Sequence, residues 1–190
     1  MLTDPLLDVL SAVVNVLSHA GVEYAVTGSV ASSLHGEPVF SQDIDLVVRM
    51  TPEQARRVAR ELPQRFYRNQ DAVIEAAQVA GFVNLIDSES GLKVDLSVLP
   101  AGDFNDRVLE RRLSLKFDPN VPAFDVVTAE DVILMKLLWR RDTRSAKQWE
   151  NALSVARVKG ARMDWEYLFG QAKKVGVEED LERLRDEAGI

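Results

Sequence analysis

The sequence predicts an α/β (α+β) fold, a strand-rich half followed by a helical tail. Before Thr128, helical stretches alternate with short apolar runs bounded by Gly, Pro and Ser; from Thr128 onward the apolar residues keep helical spacing. Length agrees: 190 residues suffice for one full core plus a helical appendage, at roughly 100–200 residues per domain. The division expected is an α/β core over 1–127 and a helical region over 128–190 packed on it.

Taken in order, PLLDVLSAVVNVLSHA (5–20) places apolar side chains at helical spacing and stops at Gly21. VEYAVTG (22–28) reads as a buried strand entering a turn, SVASSLHG as one or two helical turns, and DIDLVV (43–48) as a second strand. Thr51 to Leu62 is helical, with Thr51 as N-cap and Pro52 at the first helical position. A short helix is expected near 71–79. GFVNLIDSESGLKVDLSVLP then reads as two strands joined by a Ser-Glu-Ser-Gly turn. Residues 103–112 read as helix, and Leu113 to Val127 hold one or two short strands. Thr128 and Asp131 are spaced like a variant capping box at the start of the helical tail.

Composition narrows the chemistry. The 46% hydrophobic and 28% charged content is ordinary for a soluble domain. No apolar stretch approaches the roughly 20 residues needed to span a bilayer, and MLTDPLLDVL lacks the basic start of a signal peptide. A cytoplasmic protein with no membrane partner is the expectation. With no cysteine and only His19 and His35, disulfides, thiolate metal sites and multi-histidine zinc sites are ruled out or disfavoured. Any metal would rest on carboxylates, which suits Mg2+ or Mn2+.

Asp43 and Asp45, two apart on a strand, project to one face while Ile44 and Leu46 turn inward. Carboxylates this close repel unless a cation or hydrogen-bond donors compensate. An isolated Asp-x-Asp is more simply a turn end and a solvated acid. A third carboxylate shifts that balance: Asp95 lies in LKVDLSVL among apolar residues, where an unpaired charge is costly. If its strand neighbours DIDLVV, three carboxylates share one face and can hold hard divalent ions. Gly28 lets backbone approach a ligand, the Ser29 hydroxyl can donate to phosphate, and the following helix aims its positive end there. A Gly-Ser turn alone is weak evidence. The combination is specific: Gly-Ser ending a strand, Asp-x-Asp after 13 intervening residues (30–42), and an Asp 50 residues beyond Asp45.

On these residues the chain resembles the nucleotidyltransferase superfamily, with its polymerase-beta-like fold. TGSVASSLHGEPVFSQDIDLVV is most similar to small bacterial, minimal nucleotidyltransferases and AbiEii-type toxins, whose pattern reads G-S-x-A, H-G, then R-x-T-x-D-I-D-L. TAEDVILMKLLWRRD resembles them too, with Glu130 and Asp131 opening a helix that bears Lys136. The match covers most of residues 20–160. It implies a nucleotidyltransferase fold, a mixed β-sheet flanked by helices with a C-terminal helical region. It also implies roles: Gly28, Ser29 and Lys136 for the triphosphate, Asp43 and Asp45 for magnesium, and Asp95 for metal or for activating the attacking hydroxyl. The implied activity is transfer of NMP from an NTP such as ATP to an RNA end or a protein, as in toxin-antitoxin systems with an antitoxin or toxin partner. The alternatives are a nucleotide-binding regulator or antitoxin with weakened catalysis, and a small-molecule (antibiotic) nucleotidyltransferase. In-line transfer at the α-phosphorus asks for positioning and charge neutralisation, and two metals about 3.5–4 Å apart supply both.

Two departures bear on activity. Val39 stands where similar sequences carry Arg, and Asn151 where many carry Asp; Ser41 replaces the usual Thr. Loss of the Arg removes a partner for carboxylate or phosphate, and loss of the Asp removes a base or metal-positioning charge. Other residues have plainer readings. His35 at a helix end is more simply structural, Lys136 can snorkel from an apolar helix, and Trp139, Trp149 and Trp165 fit a core. The net charge of −7 gives no general reason to bind nucleic acid, although residues 136–162 hold eight basic against two acidic residues. That stretch reads equally as a solvated face or a phosphate-lined cleft.

Overall fold

In the computed structural model, which describes residues 4–117, 119 and 121–190, the chain begins with the helix its apolar spacing predicts. α1 (Pro5–His19) opens on Asp4, whose carboxylate accepts the Leu6 N–H, and buries Val9, Leu10, Val13, Val14 and Leu17. There follow β1 (Glu23–Val26), α2 (Gly28–His35), β2 (Asp43–Arg49), α3 (Pro52–Glu61), β3 (Phe66–Tyr67), α4 (Gln70–Val79), β4 (Phe82–Asp87) and β5 (Lys93–Val98). Next come α5 (Asp103–Glu110), β6 (Leu113–Leu115), β7 (Phe124–Val126), α6 (Ala129–Thr143), α7 (Ala146–Lys159), a 3-10 turn (Gly160–Arg162), α8 (Trp165–Val175) and α9 (Glu178–Ala188). Residues 1–3, 118 and 120, part of the amino-terminal segment and of the 113–127 stretch read as strands, lie outside the described residues. No helix among the described residues is long and apolar enough to cross a membrane.

The sheet is mixed, in the order β3-β4-β5-β2-β1-β7-β6. β2 pairs with β5, and β1 with β7, in parallel; the other neighbours are antiparallel. Central β2 and β5 send Ile44, Leu46, Val48, Val94, Leu96 and Val98 into the core. α3 begins with the expected Thr51 cap, completed by the reciprocal bond from the Thr51 N–H to the Gln54 side chain. β3 has no counterpart in the sequence reading, because two residues are too few to show a period.

The residues group into two units. One holds the chain up to Val26 together with Ser41–Val126 and contains the seven described strands; the other joins Thr27–Phe40 to Val127–Ile190. This grouping differs from the expected division at 127/128 by assigning α2 to the C-terminal helices. The reason is local. The His35 ring Nε2–H donates to the Val127 carbonyl at 2.8 Å, and Gly36 lets α2 meet the backbone of α7, where an added Cβ would lie 3.0 Å from Val155 N. Within this second unit α6 packs on α7 and α8, and α7 on α9, burying Ile133, Leu137, Val155, Leu168, Leu181 and Leu184. The Thr128 hydroxyl accepts the Asp131 N–H (3.2 Å) and donates to the Asp131 carboxylate (2.7 Å), which completes the expected cap of α6.

Candidate active site

The strand pairing left open by the sequence is present in the first unit. β2 and β5 run parallel with Asp43 opposite Lys93 and Asp45 opposite Asp95. Strand alternation keeps these four side chains on one face. Asp43 is exposed, Asp45 half-buried and Asp95 buried. Ser41 ties the entry of β2, its hydroxyl accepting the Asp43 N–H at 3.3 Å and donating to the Asp43 carbonyl at 2.9 Å.

Two neighbours hold Asp95. The Lys93 ammonium lies 3.0 Å from Asp95 Oδ2 and 3.5 Å from Asp43 Oδ1. The Asn84 side-chain amide donates to Asp95 Oδ1 at 2.5 Å. The hydrogen bond to Asp95 is the main cause of a raised Lys93 pKa; burial opposes it, and the charges of Asp95 and Asp43 reinforce it. Part of the repulsion between carboxylates is therefore met by the chain's own cation.

Sequence reasoning missed both residues, although the signals were present. Lys93 and Asp95 are two apart on a strand. Counting outward from the four-residue turn 88–91, with the Asp87 N–H donating to the Leu92 carbonyl, sets Asn84 opposite Asp95.

Among the described residues, no three carboxylate or histidine side chains close around a single point as metal ligands. The donor chemistry nevertheless fits a hard divalent cation. The oxygens are carboxylate, and an ammonium already seated between Asp43 and Asp95 is a stand-in that marks where positive charge is accepted.

The other predicted residues belong to the second unit. Gly28 adopts φ +63°, a left-handed conformation that favours glycine, as the first residue of α2. Among the described residues no side chain caps that helix start, and Ser29 is buried beside it. The Thr27 hydroxyl donates to the Met135 sulfur at 3.6 Å, bringing the start of α2 to the part of α6 that carries Lys136. Lys136 is 3% exposed and its ammonium lies 5.3 Å from the centroid of the Trp139 ring, so it is buried along its whole length instead of snorkelling. Val39 is partly exposed, and its backbone N–H and carbonyl are both bonded to the Ser33 hydroxyl. Asn151 is buried on α7, and its Nδ2 has no hydrogen-bond partner among the described residues.

The chain matches no family model and no curated protein sequence. Its fold does have solved counterparts. The antibiotic-resistance factor ANT(2'')-Ia superposes with a TM-score of 0.58 at 11% identity, covering 94% of this chain and 97% of that one. An antigenic nucleotidyltransferase-like protein from Paracoccidioides brasiliensis superposes with a TM-score of 0.55 at 13% identity, covering 98% and 94%.

The fold is nucleotidyltransferase-like. Its mixed seven-stranded sheet flanked by helices, with a helical C-terminal region, is the architecture the resemblance implied.

On this nucleotidyltransferase-like fold four of the eight basic side chains of the stretch 136–162 make contacts within their own unit. Arg140 pairs with Asp180 at 3.1 Å, Arg141 donates to the Val175 carbonyl, Arg157 to that of Glu187, and Arg162 to that of Val158. Trp149 is buried between the guanidinium groups of Arg140 and Arg183, at 4.7 and 4.8 Å from its ring centre, and donates its indole N–H to Glu187. The Trp165 indole donates to the Gly160 carbonyl. These observations favour structural roles over a phosphate-lined cleft and over base stacking.

Proposed function

We propose that the protein is a magnesium-dependent nucleotidyltransferase that moves a nucleoside monophosphate from an NTP to a hydroxyl acceptor. The observation that carries this reading is the register of Asp45 beside Asp95, with Asp43 one alternation away, in a nucleotidyltransferase-like fold. Asp43, Asp45 and Asp95 would hold Mg2+ or Mn2+, and the bound ion supplies charge neutralisation at the transferring phosphate. Gly28, Ser29 and the uncapped start of α2 would receive triphosphate oxygens, with Lys136 as a further cation for them. The acceptor oxygen bonds to the α-phosphorus as the bond to pyrophosphate breaks, and the hydroxyl proton passes to Asp95. Asn84 orients the Asp95 carboxylate for that transfer. No covalent nucleophile is required.

The acceptor in this reading is a protein hydroxyl or an RNA end, in a toxin-antitoxin-like pair with a partner protein. The net charge of −7 and the pairing of Arg140 with Asp180 favour the protein over long RNA. Likeness to an antibiotic-resistance factor over 94% of the chain favours, as a second reading, a small-molecule acceptor. A nucleotide-binding regulator with weakened turnover is favoured by Val39, by an Asn151 Nδ2 without a hydrogen-bond partner among the described residues, and by Lys93 on the carboxylates.

Incubation with each labelled NTP, Mg2+ and either total RNA, cell lysate or an aminoglycoside separates these readings. Label transferred to one acceptor class, and lost in Asp45→Asn, supports the enzyme and identifies the acceptor. No transfer by the wild type, with transfer gained in Val39→Arg/Asn151→Asp, identifies the regulator.

A further inference from the structure

We propose that Lys93 is a built-in counter-ion of the carboxylate face, which a divalent cation must displace from Asp43 and Asp95 in order to bind. The inference rests on the nucleotidyltransferase reading of that face and adds to it a residue that sets metal affinity.

The geometry is simple. Lys93 lies opposite Asp43 and two residues before Asp95, so one ammonium bridges two of the three carboxylates, at 3.5 and 3.0 Å. These are oxygens a metal would use. With both cations in place, a unit positive charge would lie within a few ångströms of a divalent ion, and their repulsion would weaken binding. Lys93 is able to leave. Its side chain is 36% exposed, and a four-carbon stem carries the charge into water without moving the strand. Asp95 does not lose all its donors when that happens, because the neutral Asn84 amide holds its other oxygen at 2.5 Å.

The arrangement has two consequences. The carboxylates are held together without metal, so the face is not a standing source of repulsion. Metal binds weakly on its own and better with a triphosphate, whose negative charge favours the divalent ion and offers the freed ammonium a partner.

The test is Mn2+ binding to the full chain without nucleotide, followed by the spin resonance of free Mn2+. Lys93→Met keeps an unbranched apolar stem and removes the charge, whereas Lys93→Arg keeps the charge on a stem of similar reach. The expected result is affinity tightened about tenfold or more in Lys93→Met, affinity near wild type in Lys93→Arg, and loss of the gain in Lys93→Met/Asp45→Asn. A second measurement uses the wild-type protein: acetylation of Lys93, read by mass spectrometry, should increase when Mn2+ is added. Measurable Mn2+ binding with equal affinity in wild type and Lys93→Met, or Lys93 labelling unchanged at saturating Mn2+, overturns the counter-ion role and leaves the metal site standing. Absence of Mn2+ binding in both proteins overturns the role and the reading of the face together.

Discussion

His35 closes α2 with its Nε2–H on the Val127 carbonyl, and burial holds its pKa below the ordinary value; the bond to Val127 and Glu130 pull the other way, and Lys159 adds to the lowering. A histidine with a depressed folded-state pKa contributes stability that is complete above its unfolded value of about 6.5 and is lost as pH falls toward the folded value. Urea unfolding should therefore show stability that falls as pH drops below about 6.5, with a flatter profile in His35→Gln, whose amide can still reach Val127. An unchanged slope in that variant would contradict the assignment.

Asn84 makes a different prediction. Asn84→Ala removes a donor to a carboxylate and should cost about 1 kcal/mol of stability and about tenfold or more of transfer rate through a misplaced Asp95. Rates equal to wild type would separate Asn84 from the chemistry. At this scale the sequence was partly legible. Strand alternation joined Asp43 to Asp45, the cost of a charge among apolar residues added Asp95, and a helix-end position favoured a structural His35. Lys93 went unread although it stands two residues from Asp95 on one strand, and Asn84 because its place opposite Asp95 follows only from counting the register outward from the turn.

The junction of α2 with α7 turns on Gly36. Its φ of −120° is ordinary, so the demand is spatial: a Cβ there would lie 2.7 Å from the Ser154 hydroxyl and 3.1 Å from the Ser154 carbonyl carbon. Gly36→Ala should lower stability by about 1–3 kcal/mol, and adding Ser154→Ala should restore only part, since the contacts with the α7 backbone persist and the Glu37 N–H loses its acceptor. Denaturant midpoints measure both. At the start of α6, the Tyr167 hydroxyl donates to buried Asp131 at 2.6 Å, and Tyr167→Phe should cost about 1–3 kcal/mol. A midpoint unchanged from wild type would show that the bond contributes nothing net. Elements with a strong period or a cap were read from the sequence, α1, α3 and α6 among them. β3 was not, and the place of α2 among the C-terminal helices was hidden because Gly36 looks the same whether it ends a helix or admits a neighbouring backbone.

For the whole molecule, the mixed sheet makes parallel neighbours of β2 and β5, which lie far apart in sequence, and so assembles the carboxylate face. The sequence foreshadowed that pairing through chemistry alone, as carboxylates set in two apolar strands. Local charge was a poorer guide. The basic excess over 136–162 read equally as a solvated face or a phosphate-lined cleft, and Arg140 is paired with Asp180. Charge counted along a chain does not tell which charges are paired across it. The central claim is that the carboxylate face binds a metal-bound nucleotide, and calorimetry with ATP, GTP, CTP and UTP tests it most directly. At least one nucleotide should bind in Mg2+ or Mn2+, bind far more weakly in EDTA, and lose affinity in Asp43→Asn/Asp45→Asn. Binding of equal strength in EDTA, or no binding of any nucleotide with metal present, would contradict it.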